Sequence, residues 1–286
     1  MHSSEVQNAS EICQSSGGDQ DRDWVATSEL SSSRQHMKSE SVVATTHGSG
    51  CDAIVSKPRQ DSLSIWIVVA AYNEESRISA TLMKLLAEGN FHVVVVDDGS
   101  ADKTVAIARG FPVWVLSHPL NCGQGAALRT GIEFALAKGA DFIVTFDADG
   151  QHEASEIECL LEPVRSGRAD LALGSRFRGQ TERMPLQRRC LLKAAVVFTR
   201  LTTGLPLTDA HNGFRAMNRH AAESIEIKQP RMAHASEILD QIARKNLRYE
   251  EVPVTIRYTE ATLEKGQSTF DAARIGGDLM LGRFVK

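Results

Sequence analysis

FHVVVVDDGSADKT, residues 91–104, decides how this chain folds. An apolar run closes on two carboxylates, Asp97 and Asp98, and Gly99-Ser100 then turns the chain. A strand with one wet face alternates apolar and polar residues, whereas an unbroken run marks a strand covered on both faces. The pattern recurs in SIWIVVA (64–70), PVWVL (112–116), DFIVTF (141–146) and DLALG (170–174). Helical patterns lie between these runs, at roughly 74–88, 102–110, 125–138 and 153–167. Strand alternating with helix predicts βαβ units and an α/β fold, a Rossmann-like, mostly parallel sheet flanked by helices. Ligands of such sheets bind beyond the carboxyl ends of the strands.

Polar clusters stand at those ends. Tyr72-Asn73-Glu74-Glu75 follows the first strand, Asp97-Asp98-Gly99-Ser100 the second, and residues 118–125, HPLNCGQG, the third. Asp147-Ala148-Asp149-Gly150-Gln151-His152 follows the fourth and Gly174-Ser175-Arg176-Phe177-Arg178 the fifth. Five such loops on one edge predict an active site. Asp147 and Asp149, two apart as a strand ends, project to one side. Paired carboxylates suit a hard divalent cation that keeps part of its shell for substrate phosphates.

The 286 residues carry a formal charge of −4, so no global basic field recruits nucleic acid. Five cysteines, at 13, 51, 122, 159 and 190, form no CxxC pair, which argues against a disulfide framework or a zinc motif. The first residues show no signal-peptide pattern, and no apolar stretch approaches the roughly 18 residues needed to cross a bilayer. The expectation is a cytoplasmic protein, free or on the cytoplasmic face of a membrane. Residues 1–61, polar and without periodicity, are expected to be disordered, followed by one domain over 62–268 and a C-terminal helix over 269–286.

Several phosphate chemistries are excluded. The turn after the first strand reads AAYNEE, without the GxGxxG of a dinucleotide fold, and no Walker loop is present. VVAAYNEE (68–75), VVVVDDGSADKT (93–104), NCGQGAALRTGI (121–132), FDADGQH (146–152), GSRF (174–177) and DAHNGFRAM (209–217) occur in order at plausible spacings. Together they resemble family 2 glycosyltransferases of the GT-A fold, in the branch of dolichyl-phosphate mannose synthase and bacterial polyprenyl-phosphate glycosyltransferases.

The resemblance implies site roles, residue by residue. Tyr72, Asn73 and Glu74 would line a nucleotide pocket, with Asp97 or Asp98 accepting from the base. Gly123, Gln124 and Lys265, the last in a mobile KGQS loop, would complete it. Asp147, Asp149 and Gln151 would hold Mg²⁺ or Mn²⁺ against the diphosphate. Asp149, Arg176, Asp209 and Arg215 are the catalytic candidates, with Arg176 in the acceptor-phosphate pocket. Arg215 lies in an apolar, strand-like context, where an arginine needs a partner, either Asp209 or the acceptor phosphate. Gln124 departs from the family, which usually has lysine there. The implied partners are a nucleoside-diphosphate sugar and polyprenyl phosphate or a glycan, and a non-catalytic sugar-nucleotide-binding homologue is the third reading.

A phosphate acceptor needs no general base, since it is already largely anionic at neutral pH, with a second pKa of about 6. A hydroxyl acceptor needs one, for which Asp209 and Glu237 are the candidates. His118, His152 and His211 lack metal-ligand spacing and read as hydrogen-bonding or surface residues, and Cys122 and Cys190 as bystanders. Along helix 186–203, at about 100° per residue, Arg189, Lys193 and Arg200 fall within about 40° of one another. Leu191, Ala194, Ala195, Phe198 and Leu201 lie opposite. The helix is either packed on the core or docked on anionic lipid.

Overall fold

The computed structural model describes residues 63–258, except Arg183, Pro230 and Met232. The expectations for 1–61, Lys265 and 269–286 lie outside the described residues. Four strands, β1 (Ile65–Ala71), β2 (His92–Asp97), β3 (Trp114–Ser117) and β4 (Phe142–Asp147), pair in parallel in the order 3-2-1-4. Between them run helices α1 (Ile78–Glu88), α2 (Thr104–Ala108) and α3 (Gln124–Ala137). After β4 come α4 (Ile157–Arg165), β5 (Leu171–Glu182), α5 (Leu186–Thr203), β6 (Arg215–Asn218), α6 (Arg219–Ser224), α7 (His234–Arg244) and β7 (Tyr249–Arg257). The sheet continues β4-β6-β5-β7, with β6 antiparallel to both neighbours and β7 parallel to β5.

Unbroken apolar runs in the central strands have the predicted cause. Ile65, Ile67 and Val69 of β1 pack with Ile78, Leu82 and Leu85 of α1 and with Leu160 and Leu161 of α4. Trp66 and Val68 pack on the other face with Leu128 and Ile132 of α3 and with Ile238 and Leu239 of α7. α3 lies so close to the sheet that a Cβ on Gly131 would fall 2.3 Å from Val68 Cγ1.

Two boundaries differ from expectation for local reasons. α1 starts at Ile78 rather than near Glu74 because the first loop is tied sideways to the second. Asn73, with φ 53°, donates its backbone N–H to Ser100 Oγ, and Glu74 donates its own to Thr104 Oγ1. β5 runs on to Glu182, past the expected end, because its second half pairs with β7 beyond a register shift. β7 carries Glu250, Glu251 and Pro253, yet lies at the sheet edge, where proline is tolerated.

Candidate active site

The carboxyl ends of β1, β2, β4 and β5 open on one cavity of about 800 Å³. Tyr72, Glu74, Asp98, Gly123, Gln124, Asp147, Asp149, Gln151 and Arg176 line it. Asp97, Asp209 and Arg215 are buried behind that lining.

Asp147 and Asp149 leave β4 on either side of buried Ala148. Asp147 Oδ1 accepts from Gln124 Nε2 at 2.7 Å, and Oδ2 from His152 Nε2 at 3.2 Å. Room for this carboxylate comes from Gly213, where a Cβ would lie 2.5 Å from Asp147 Oδ2. Asp149 accepts from Gln151 twice, from the backbone N–H at 3.0 Å and the side-chain Nε2 at 2.7 Å. Burial acts to raise the Asp147 carboxyl, but the His152 hydrogen bond and the charges of His152, His234 and Arg215 outweigh it and hold it low. Burial, and then the negative charge of Asp147, push Asp149 up to about 6. Two adjacent carboxylates and an amide oxygen are a hard-donor set whose mutual repulsion a divalent cation would relieve, so these residues fit the ion the pattern implied.

Past the end of β2, Asp98 Oδ1 accepts from Cys122 N at 3.0 Å and Oδ2 from Gly123 N at 2.6 Å. His118 Nδ1 lies 2.8 Å from the same carboxylate. Asp97 does not line the cavity; it accepts from Ser100 N and shapes the loop. Asn73 Oδ1 accepts from Ala101 N, which makes it a brace between loops. Glu74 pairs with Arg77 at 2.6 Å.

Arg176 and Asp209 form a buried ion pair at 2.6 Å. Arg176 also donates to Tyr258 Oη at 2.8 Å and to the His211 carbonyl at 2.6 Å. Burial lowers the guanidinium, but Asp209 and Tyr258 overcome it and the net direction is upward. Asp209 is therefore not placed as a free base. Glu237, the other base candidate, accepts from the backbone N–H groups of Lys228 and Gln229 and does not line the cavity.

Arg215 does not take Asp209, because Arg176 does. Its Nη1 is buried without a hydrogen-bond partner among the described residues. Burial lowers it to about 10, against the pull of Asp147 and Asp209. Its positive charge also helps burial hold His234 down at about 4.

Other cavity residues were not legible in the sequence. Arg188, with its guanidinium carbon 4.9 Å from the Tyr258 ring centre, and Arg231 bring two more cations. His152 completes a three-ring cluster with Phe146 and Phe214, which also meet edge to face, and its Nε2 reaches Asp147 five residues back. Gly213 offered one signal, an Asn-Gly turn before an apolar strand. α5 buries only Val196 and Thr199. Its Leu191, Ala194, Ala195 and Phe198, expected on one face, form a wall of the cavity. Arg189, Lys193 and Arg200 are exposed, as are Leu186, Val197 and Leu201. No helix among the described residues is long and apolar enough to cross a membrane.

A parallel half-sheet ending in Asp-x-Asp, continued by an antiparallel strand, is the GT-A glycosyltransferase architecture. The crystal structure of Mycobacterium tuberculosis glucosyl-3-phosphoglycerate synthase with Mn²⁺, UDP-glucose and phosphoglyceric acid superposes with a TM-score of 0.61 at 18% identity, covering 77% of this chain and 78% of that one. Residues 66–226 match the model of Glycosyl transferase family 2, and the chain belongs to that family, in its dolichyl- and polyprenyl-phosphate branch. It is 31% identical over 244 residues to the UDP-N-acetylglucosamine–dolichyl-phosphate N-acetylglucosaminyltransferase of Methanococcus voltae, covering 78% of this chain and 97% of that protein. An uncharacterized protein of Methanocaldococcus jannaschii is 40% identical over 215 residues, covering 74% and 88% respectively.

Proposed function

We propose that this chain is a metal-dependent, inverting glycosyltransferase that moves a sugar from a nucleoside diphosphate to polyprenyl phosphate. One observation carries the reading: a single cavity has a carboxylate end at Asp147 and Asp149 and an apolar wall on α5. The first suits a nucleoside diphosphate, the second an isoprenoid chain. Mg²⁺ or Mn²⁺ held by Asp147, Asp149 and Gln151 would offset charge on the departing diphosphate. The relative that uses dolichyl phosphate and the neighbour crystallised with Mn²⁺ and UDP-glucose support these classes.

This chain's own residues do the rest. Tyr72 and Asp98 receive the nucleotide at the ends of β1 and β2. Arg77 and Arg176 are paired with Glu74 and Asp209, which leaves Arg188 and Arg231 to meet the acceptor phosphate. Arg215 adds positive potential beneath Asp147. The acceptor attacks opposite the leaving diphosphate, and the anomeric centre inverts. With Asp209 engaged and Glu237 outside the cavity, an acceptor that arrives ionised is favoured over a hydroxyl, which needs a base. The exposed cations and apolar side chains of α5 suit an anionic lipid surface on the cytoplasmic side.

The test is transfer of radiolabelled sugar from a panel of nucleoside-diphosphate sugars in the presence of polyprenyl phosphate and Mn²⁺. Label in an organic-extractable, acid-labile product supports the proposal. Label confined to water-soluble glycan points to a hydroxyl acceptor, and no transfer at all to a non-catalytic homologue.

A further inference from the structure

Beside the nucleotide end of the cavity, which Asp98 lines and His118 and Cys122 do not, three side chains of different chemistry converge. A carboxylate oxygen of Asp98, a ring nitrogen of His118 and the sulfur of Cys122 all lie within 4.8 Å of one another. Asp98 is buried beside the end of β2, while His118 and Cys122 sit half-buried in the loop between β3 and α3. We propose that this trio is a second cation site, separate from Asp147 and Asp149, which takes Zn²⁺ and opposes nucleotide binding when filled. The opposition rests on the nucleotide reading above; the site itself does not.

Carboxylate, imidazole and thiolate are all zinc donors, and a set that includes sulfur disfavours Mg²⁺. Zinc bonds of about 2.0–2.3 Å space tetrahedral ligands roughly 3.5 Å apart, so the outermost donors must close by about 1 Å. Three protein ligands leave a fourth position for water. His118 is already oriented for the task, with Nε2 3.0 Å from Thr130 Oγ1 and Nδ1 2.8 Å from Asp98 Oδ1. Metal-bound histidines ordinarily have such an outer partner on the second ring nitrogen.

An ionised Asp98 can only accept, so without the ion Nδ1 carries a hydrogen, and in the neutral ring the Thr130 hydroxyl donates to Nε2. On loading, the ring proton moves to Nε2 and Thr130 turns to accept it, which frees the Nδ1 lone pair. The Cys122 thiol releases its proton to solvent. Asp98 also holds the N–H groups of Cys122 and Gly123, directly before Gln124 and α3. Drawing this carboxylate onto an ion therefore disturbs the loop that lines the nucleotide end.

The test uses Co²⁺ as a visible stand-in for zinc on the full chain. A thiolate-to-cobalt absorption band should appear at one equivalent and be bleached by Zn²⁺. The band should vanish in Cys122→Ser, whose fold is checked by circular dichroism. It should persist when Cys13, Cys51, Cys159 and Cys190 are all changed to serine, and in Asp149→Ala. Thr130→Val should weaken Co²⁺ affinity about tenfold. Zn²⁺ should raise the apparent Kd for UDP in the wild type and not in Cys122→Ser, at constant Mn²⁺. No band in the wild type, or one that survives Cys122→Ser, overturns the site. A normal band with unchanged UDP affinity overturns the opposition. If none of UDP, GDP, ADP and dTDP binds either protein, the nucleotide reading fails, while the cobalt band still reports on the site.

Discussion

Lowering the pH should strip the divalent cation from this protein in a way that reports on Asp149 alone. Its carboxyl is pushed up to about 6, first by burial and then by Asp147, whereas Asp147 is itself held low. A proton and a cation compete for the same oxygens. At pH 7.5 Asp149 is almost fully ionised; at pH 5 only about one molecule in eleven carries the free carboxylate, so the apparent Kd for Mn²⁺ should rise about tenfold. The raised value has a stability consequence too. A carboxyl whose folded pKa exceeds its unfolded value of 3.8 is best tolerated below that value, and it destabilises the metal-free fold as pH rises through 4 to 6. Moving it from 3.8 to about 6 corresponds to about 3 kcal/mol. Asp149→Asn should therefore raise the metal-free Tm at pH 7.5, lose Mn²⁺ affinity and lose its pH dependence. Free Mn²⁺ counted by electron paramagnetic resonance at pH 5, 6 and 7.5, with parallel melts, measures both. A wild-type Kd that changes less than about twofold over this range, or an Asp149→Asn protein that keeps the full pH dependence, would refute the assignment.

Gly213→Ala places a Cβ 2.5 Å from Asp147 Oδ2, and Mn²⁺ affinity should fall about tenfold or more with the far-UV spectrum unchanged. Asp209→Ala strands buried Arg176; a loss of about 3 kcal/mol or more in denaturant melts is expected, and a near-native melting curve would show that the pair is not structural. Gln124→Lys sets an ammonium where an amide now sits 2.7 Å from Asp147, so Mn²⁺ titration should give a higher Kd than wild type. Phe198→Glu on the apolar wall should raise KM for polyprenyl phosphate in vesicles and leave UDP binding, read by calorimetry, as it was.

Much of the architecture was legible because its cause is local. A strand covered on both faces is apolar along its length, as β1 is throughout, β2 is over residues 93–96 and β4 is over 142–146 apart from Thr145. The turns after them carry their own signals in Gly99, Gly150 and the acidic residues beside them. β7 was hidden because Glu250, Glu251 and Pro253 break any simple period, and an edge strand tolerates them. β6 was visible only as apolar context around Arg215, since four residues are too few to declare a direction.

Among the site residues, the sequence by itself determined which loops reach the cavity, but not that Asn73, Asp97, Asp209 and Arg215 stay out of its lining. Asp147 and Asp149 were expected together from the i, i+2 spacing of an extended chain, but β4 ends at Asp147 and it is the turn through Ala148 that brings Asp149 into the cavity beside it. Nor could the sequence assign partners. Arg176 and Arg215 look alike in the chain, yet Asp209, 33 residues beyond Arg176, pairs with the first, and Nη1 of the second is left without a hydrogen-bond partner. His152 turned back onto Asp147, and the apolar side of α5 turned toward the cavity. Local periodicity encodes exposure and chain direction; which buried charge meets which is decided only when distant segments pack and each donor takes the nearest acceptor left in a dry interior.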